Sequence, residues 1–150
     1  MESKKQAEST LSCEYEGTVS FEEGLFGFEK YKRFLPVPVE EDSDAVLTLL
    51  SMDDKDLAFI IMNPFLLDAD YHPEVEAEEL RSLGEAADTE YSWYVICTAH
   101  QPAEESTVNM KCPIVVNVRT RKAKQIILRN EGYTFRHRLG DLTQKEKQTC

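Results

Sequence analysis

The sequence predicts an all-β protein: a single antiparallel β-barrel-like or sandwich domain with one or two short helices. Three observations lead there. Seven short apolar runs rich in Val, Ile, Leu, Phe and Tyr follow one another along the chain, separated by turn residues. Only one stretch spaces its apolar residues as a helix does. The chain has 150 residues, 41% hydrophobic and 30% charged, enough to bury one core without metal or disulfide help.

Val19–Phe21 is the first run, and Gly24 and Gly27 punctuate the loop after it. A single helical turn fits Phe28–Phe34. Phe34–Val39 is the second strand. Its Pro36 and Pro38 cannot donate ladder hydrogen bonds, which places it at a sheet edge. Ala45–Leu50 and Leu57–Met62 flank Asp53-Asp54-Lys55-Asp56, a polar hairpin turn, and Asn63-Pro64 marks the next turn. Pro73–Gly84 is the helix: Val75, Leu80 and Leu83 share a face, acids sit at its start, and Gly84 ends it. Tyr91–Thr98 is the longest strand, closed by Gln101-Pro102. Ile114–Val118 and Gln125–Leu128 flank a basic hairpin, and Asn130-Glu131-Gly132 turns the chain again. Residues 1–12 are expected to be a loose polar leader, 13–139 the domain, and 140–150 a loose polar tail.

The net charge is −11, and it is unevenly distributed. Residues 1–100 hold 7 basic and 23 acidic side chains; residues 101–150 hold 10 basic and 5 acidic. Such a field repels phosphate backbones and favours basic partners. No run approaches the ~18 apolar residues of a membrane span. The first ten residues have no apolar stretch of the kind a secretory signal needs, so a cytoplasmic protein with reduced thiols is expected. Cys97 and Cys112 lie in apolar runs and read as small core residues, whereas Cys13 and Cys150 lie near the ends.

The residues offer little for catalysis. Cys97 and His100 are the only close Cys/His pair, and three residues apart on a strand they point to opposite faces. His72 lies among carboxylates without the spacing of a metal site. No calcium loop is present. Gly24-Leu25-Phe26-Gly27 is too short and apolar to cradle a phosphate. No enzyme and no cofactor are expected. Nucleic-acid binding has one candidate: Arg119-Thr120-Arg121-Lys122-Ala123-Lys124, with Tyr133 and Phe135 alternating nearby, an arrangement on which small barrels stack bases. The acidic excess opposes it, and the same hairpin suits the protein's own acids.

Several stretches together resemble one family, the bacterial flagellar assembly factor FliW. They are Gly24-Leu25-Phe26-Gly27-Phe28, Leu50-Ser51, Leu57-Ala58-Phe59-Ile60-Ile61, Asn63-Pro64-Phe65, Asp70-Tyr71, the run Ser106–Asn117 and Lys124-Gln125-Ile126-Ile127-Leu128. The resemblance spans about Gly17 to Leu139. The chain departs from the family pattern at Phe26, where proline is usual, at Ala123, where glycine is usual, and at Cys112, where alanine is commoner. The Ala123 change is expected to make a left-handed hairpin residue less comfortable.

The resemblance implies a compact antiparallel barrel-like domain in the cytoplasm that switches between two protein partners. One is flagellin before export. The other is CsrA, the small RNA-binding regulator that represses flagellin translation. Freed by flagellin export, the factor would bind CsrA and relieve repression. No direct nucleic-acid contact and no membrane contact are implied, and a monomer is expected for the chain alone.

On this reading the acidic clusters Glu40, Glu41, Asp42 and Asp53, Asp54, Asp56 would repel RNA within a Debye length of ~8 Å. Anchoring contacts would come from apolar residues: Leu25, Phe26 and Phe28, and the stretch Asn63, Pro64, Phe65, Leu66, with Tyr71. The same residues equally suit the closing of a barrel end. Asn109, Asn117 and Gln125 would either satisfy backbone groups at strand ends or orient a partner peptide.

Overall fold

A computed structural model describes residues 17–41, 43, 45–84 and 90–142. The expected leader and most of the expected tail lie outside these residues, as do Asp42, Cys13 and Cys150. Nine strands form one sheet: β1 (Val19–Phe21), β2 (Arg33–Pro38), β3 (Val46–Ser51), β4 (Ala58–Met62), β5 (Tyr91–Thr98), β6 (Thr107–Val108), β7 (Ile114–Asn117), β8 (Lys122–Gln125) and β9 (His137–Arg138). Their order is β4-β3-β2-β1-β8-β7-β5-β6-β9, and β4 also pairs with β5. Seven strands therefore close into a barrel, with the two-residue strands β6 and β9 extending from β5. Every pairing is antiparallel except β1 with β8. That parallel pair is where the ends of the barrel sequence meet. β8 emerges from the β7–β8 hairpin running the same way as β1, so Ser20 donates its N–H to Arg121 O at 2.8 Å.

The barrel interior is filled by alternate residues of its strands. Val19, Phe21, Phe34, Leu47, Leu49, Ile61, Ile114, Val116 and Ala123 form one buried cluster together with Leu25. Phe21 and Phe34 meet edge to face with centroids 5.3 Å apart. Two further clusters lie against the outer barrel wall. Tyr71, Val95, Val108, Met110 and Leu128 make one, with Leu142; Leu83, Val115 and Ile126 make the other. Leu142 is buried in the first of these.

β2 is not the edge strand that its prolines predicted, because it lies between β1 and β3, but the short β1 pairing leaves its prolines a local gap. β1 pairs with β2 only at Arg33 and Phe34, and beyond that β2 pairs with β3 alone. Val39 donates to Val46 O and Met52 donates to Arg33 O, so odd-numbered β2 residues face β3. Pro36 and Pro38 face the other way, where no described strand needs their missing N–H groups.

Five expectations shift. β8 begins at Lys122 and stops at Gln125, whereas the apolar run predicted Gln125–Leu128. Ile126 N–H reaches Pro113 O and Leu128 N–H reaches Lys111 O, but Pro113 has no N–H to return, so the regular ladder ends there. The helix (α2) is confined to Ala77–Arg81. Residues before it are held extended, because Glu74 N–H donates to Asn130 Oδ1 and Glu74 O accepts from Arg129 N–H. The turn expected over Phe28–Phe34 closes at Tyr31, whose N–H meets Phe28 O, and Arg33 is already strand. The left-handed residue of the β7–β8 hairpin is Arg121, at φ 63°, while Ala123 sits in β8, buried between Val116 and Phe21. A short helix, α1 (Pro64–Leu67), stands where the sequence suggested only a turn. Asn63 caps it by accepting Phe65 N–H at 3.0 Å, and Pro64 occupies its first turn.

Candidate functional site

At one end of the barrel a groove of about 650 Å³ runs across the rim. The loop after β1 builds one wall. Gly24, at φ 72°, turns that loop back against the backbone of Glu29. Leu25 drops into the barrel as a buried plug, and Phe26 is left outside, 47% exposed. Phe28 stacks edge to face on Phe59 at 5.0 Å, and Phe59 in turn touches Phe34, so an aromatic chain links the rim to the core. β4 and β5 form the opposite wall through Ala58, Ile60, Ile96, Cys97 and Thr98. Phe135, 59% exposed, closes the far side beside Arg136.

The groove floor is rigid because its amides are used. The buried Gln125 accepts Phe26 N–H at 2.9 Å and donates to Cys112 O at 3.1 Å. Phe26 therefore supplies an N–H that this floor uses. Asn109 Oδ1 accepts Cys112 N–H at 2.9 Å. His137 Nε2 accepts Thr134 N–H at 2.9 Å and so fixes the loop that carries Phe135. Burial lowers the His137 pKa, against the opposing pull of Asp68 and Asp141, and the neutral ring is the form that accepts this bond.

The structure thus gathers Leu25, Phe26, Phe28 and Asn109 at one end of β4. Asn63, Pro64, Phe65 and Leu66 lie at the other end, on α1 beside β5. Pro64 is buried, while Phe65 and Leu66 are exposed, with the Phe65 ring 5.6 Å from that of Tyr71. Tyr71 is buried and donates its hydroxyl to Met110 O at 2.8 Å. Burial, with Tyr133 and Cys112 nearby, pushes that hydroxyl's pKa up. Asn117 is fully buried, and its amide is spent on Leu83 O, Gly84 O, Arg119 N–H and Thr120 N–H. Tyr71 and Asn117 hold loops in place and present no polar atom to a partner. The apolar residue Ile60 was missed in the sequence, and Phe135 was named there only as an aromatic near the basic hairpin. Nothing in their local pattern separates a rim residue from a core one.

The acidic residues do not form one face. Glu40 and Glu41 follow β2, whereas Asp53, Asp54 and Asp56 follow β3 at the opposite end of the barrel, six strand residues or roughly 20 Å away. The second cluster lies at the groove end, next to Ala58. Within it Asp53 is structural, because its Oδ2 accepts the N–H groups of Lys32 and Arg33 at 3.0 and 3.1 Å. Those two bonds, helped by the Arg33 guanidinium, lower its pKa against a small opposing desolvation. A depressed carboxylate stabilises the fold above its unfolded pKa and loses that contribution as pH falls through its folded one. The stability gap between wild type and Asp53→Asn, measured by urea unfolding, is therefore expected to be widest above about pH 5 and to shrink toward pH 2. A gap that stays constant over that range would contradict this role.

The basic hairpin is partly consumed by the protein itself. Lys122 pairs with Glu22 at 3.4 Å, and Lys124 with Glu23 and Glu79 at 3.3 and 2.8 Å. Cys97 lies in the groove wall with its thiol pKa raised by burial, and the His100 backbone N–H is held by Ser106 Oγ. His72 is exposed, its Nδ1 within 2.8 Å of Asp70 O and 3.1 Å of the Tyr133 hydroxyl. Among the described residues no group of three His, Cys, Asp or Glu side chains is placed to hold a metal ion, and no helix is long and apolar enough to cross a membrane.

Comparison with known proteins bears on this geometry. A family model described as FliW protein matches residues 2–139. A flagellar assembly factor FliW from Caldicellulosiruptor bescii is 32% identical over 145 residues, covering 97% of this chain and 94% of the relative. One from Bacillus velezensis is 36% identical over 122 residues, covering 81% and 85%. A crystal structure of the flagellar assembly factor FliW superposes with a TM-score of 0.75 at 32% identity, covering 82% of this chain and 85% of that one.

Proposed function

Because the chain belongs to the FliW family of flagellar assembly factors, we propose that it is a non-enzymatic binding module that holds flagellin and antagonises a CsrA-type regulator. It works as a monomer in the cytoplasm, where flagellin waits before export, and couples flagellin export to flagellin translation. The observation that carries this reading is the groove. Phe26, Phe28, Ile60 and Phe135 stand exposed around a floor whose polar atoms are already satisfied. A cluster of exposed aromatics on a rigid base is the composition of a protein-binding hot spot. The neighbouring Asp54 and Asp56 add a negative field where a basic RNA-binding partner would dock.

The test mixes purified protein with flagellin, with the regulator, and with the regulator already bound to flagellin leader RNA. Wild type is expected to bind both proteins, to release the RNA, and to bind no RNA alone. Phe26→Asp combined with Phe135→Asp is expected to weaken partner binding at least about tenfold. Both residues are exposed, so melting temperature should not change. Charge reversal at Asp54 and Asp56 is expected to slow RNA release more than reversal at Glu40 and Glu41 at the far end. Undiminished binding by the double Phe variant would defeat the groove assignment. RNA capture by the chain alone would favour the competing reading, direct binding through the 119–124 hairpin, which is weakened by the pairing of Lys122 and Lys124 with glutamates.

A further inference from the structure

The groove coincides with a place where the barrel wall comes apart. β4 and β5 pair at Ile60↔Cys97, Ile61↔Ile96 and Met62↔Val95 and no further. Continuing that register would set Phe59 against Thr98 and Ala58 against Ala99. Instead all four residues line the groove. On its other edge β4 stays paired with β3 as far as Ala58. Ser51 N–H donates to Leu57 O and Asn63 N–H to Ala45 O, which fixes the alternation of that ladder. Odd-numbered β4 residues bond to β3, and Ala58, Ile60 and Met62 turn their N–H and C=O groups toward β5. Ile60 and Met62 find β5 there. Ala58 faces the groove with no described strand opposite it.

The charges around this seam are asymmetric. Arg136 is the one charged residue lining the groove, and no ion-pair partner faces it among the described residues. The other side begins at the acidic turn that carries Asp54 and Asp56. An apolar segment with a carboxylate toward Arg136 complements this arrangement, and an exposed strand edge recognises extended chain through its backbone.

We propose that the β4 edge of this seam, at Ala58, takes a short extended segment of the partner by strand addition. The segment has apolar residues at alternate positions and a carboxylate lying at Arg136. The inference rests on the binding function proposed above and adds the conformation and charge of what is bound.

The experiment titrates the full chain with overlapping synthetic peptides that span flagellin and the regulator, with both whole proteins measured in parallel. A peptide of this description is expected to bind. Single N-methylation along its backbone should weaken it about tenfold at alternate positions only, since a strand presents every second residue to its neighbour. Arg136→Glu should weaken it, and exchanging the peptide's acidic residue for lysine should restore affinity to that variant. Ala58→Pro, which removes the N–H facing the seam at the first residue of β4, should weaken binding while the melting temperature confirms folding. Whole-protein binding with no peptide binding, with sensitivity spaced at three and four residues, or with indifference to N-methylation overturns strand addition and leaves the binding function standing. Failure of both whole proteins to bind overturns both.

Discussion

Asn117→Ala is expected to destabilise the fold by about 3 kcal/mol and to cut the melting temperature by about 10 °C. The side chain is fully buried at the end of β7. It donates to Leu83 O and Gly84 O, both at 3.1 Å, and accepts from Arg119 N–H and Thr120 N–H at 3.0 and 3.1 Å. One amide thus ties the end of α2 to the β7–β8 turn. Alanine would remove all four bonds at once. A net contribution of about 1 kcal/mol per bond, reduced where water reaches the freed groups, gives the stated size. Asn117→Asp tests the donors separately. It keeps an oxygen for Arg119 and Thr120 but turns a second oxygen toward two carbonyls, and should cost at least as much. Thr120→Val removes the 2.6 Å bond to Leu83 O and the 3.3 Å bond from Lys122 N–H, and should cost about 1–2 kcal/mol. Urea unfolding decides the matter. An alanine variant within about 1 kcal/mol of wild type would mean that the amide is not the tie described.

Gly24→Ala is the second large effect, expected to cost about 2–4 kcal/mol and to abolish partner binding as the β1–β2 loop is rebuilt. Two penalties act together. At φ 72° a side chain is strained whatever space it has, and here a Cβ would lie 2.4 Å from Glu29 Cα and 2.5 Å from Glu29 O. Those atoms belong to backbone, so they cannot swing aside. Gly27 is the internal control. Its φ is 87°, but nothing lies within 4 Å of its would-be Cβ. Gly27→Ala should therefore cost only the conformational penalty, about 1–2 kcal/mol, and leave Leu25 seated. Equal losses for the two variants would show that the close approach to Glu29 carries no weight.

Much of the barrel was legible because its strands alternate or are plainly apolar. β1 and β5 fall on the predicted residues, and β2, β3 and β4 shift by a single residue at one or both ends. The misread pieces have a shared cause. β6 and β9 are two residues each, too short for any period, and exist only because β5 offers β6 an edge and β6 offers one to β9. Pro73–Glu76 has helical spacing but is drawn out by Arg129 and Asn130, more than fifty residues away. Asn63-Pro64 did carry a helix-start signal, a capping residue followed by proline, within a pair that equally suits a turn. For the site, Leu25, Phe26 and Phe28 could be named from their loop composition, and Asn109 as an amide at a strand end. Ile60 could not, since an exposed rim residue and a buried strand residue look alike along the chain, and Phe135 could be named only as an aromatic near the basic hairpin.

What the amino-acid sequence determined by itself is local: where strands start and stop, which glycines punctuate loops, that the surface is acidic, and which family the motifs resemble. These follow from backbone sterics and composition, which act between near neighbours. The tertiary structure alone decided that β1 and β8 close the barrel in parallel, that the two acidic clusters sit at opposite ends of it, and that β4 and β5 part to leave a groove. Those outcomes depend on pairings between residues far apart in the chain, and a barrel must satisfy all of them at once before any one is fixed.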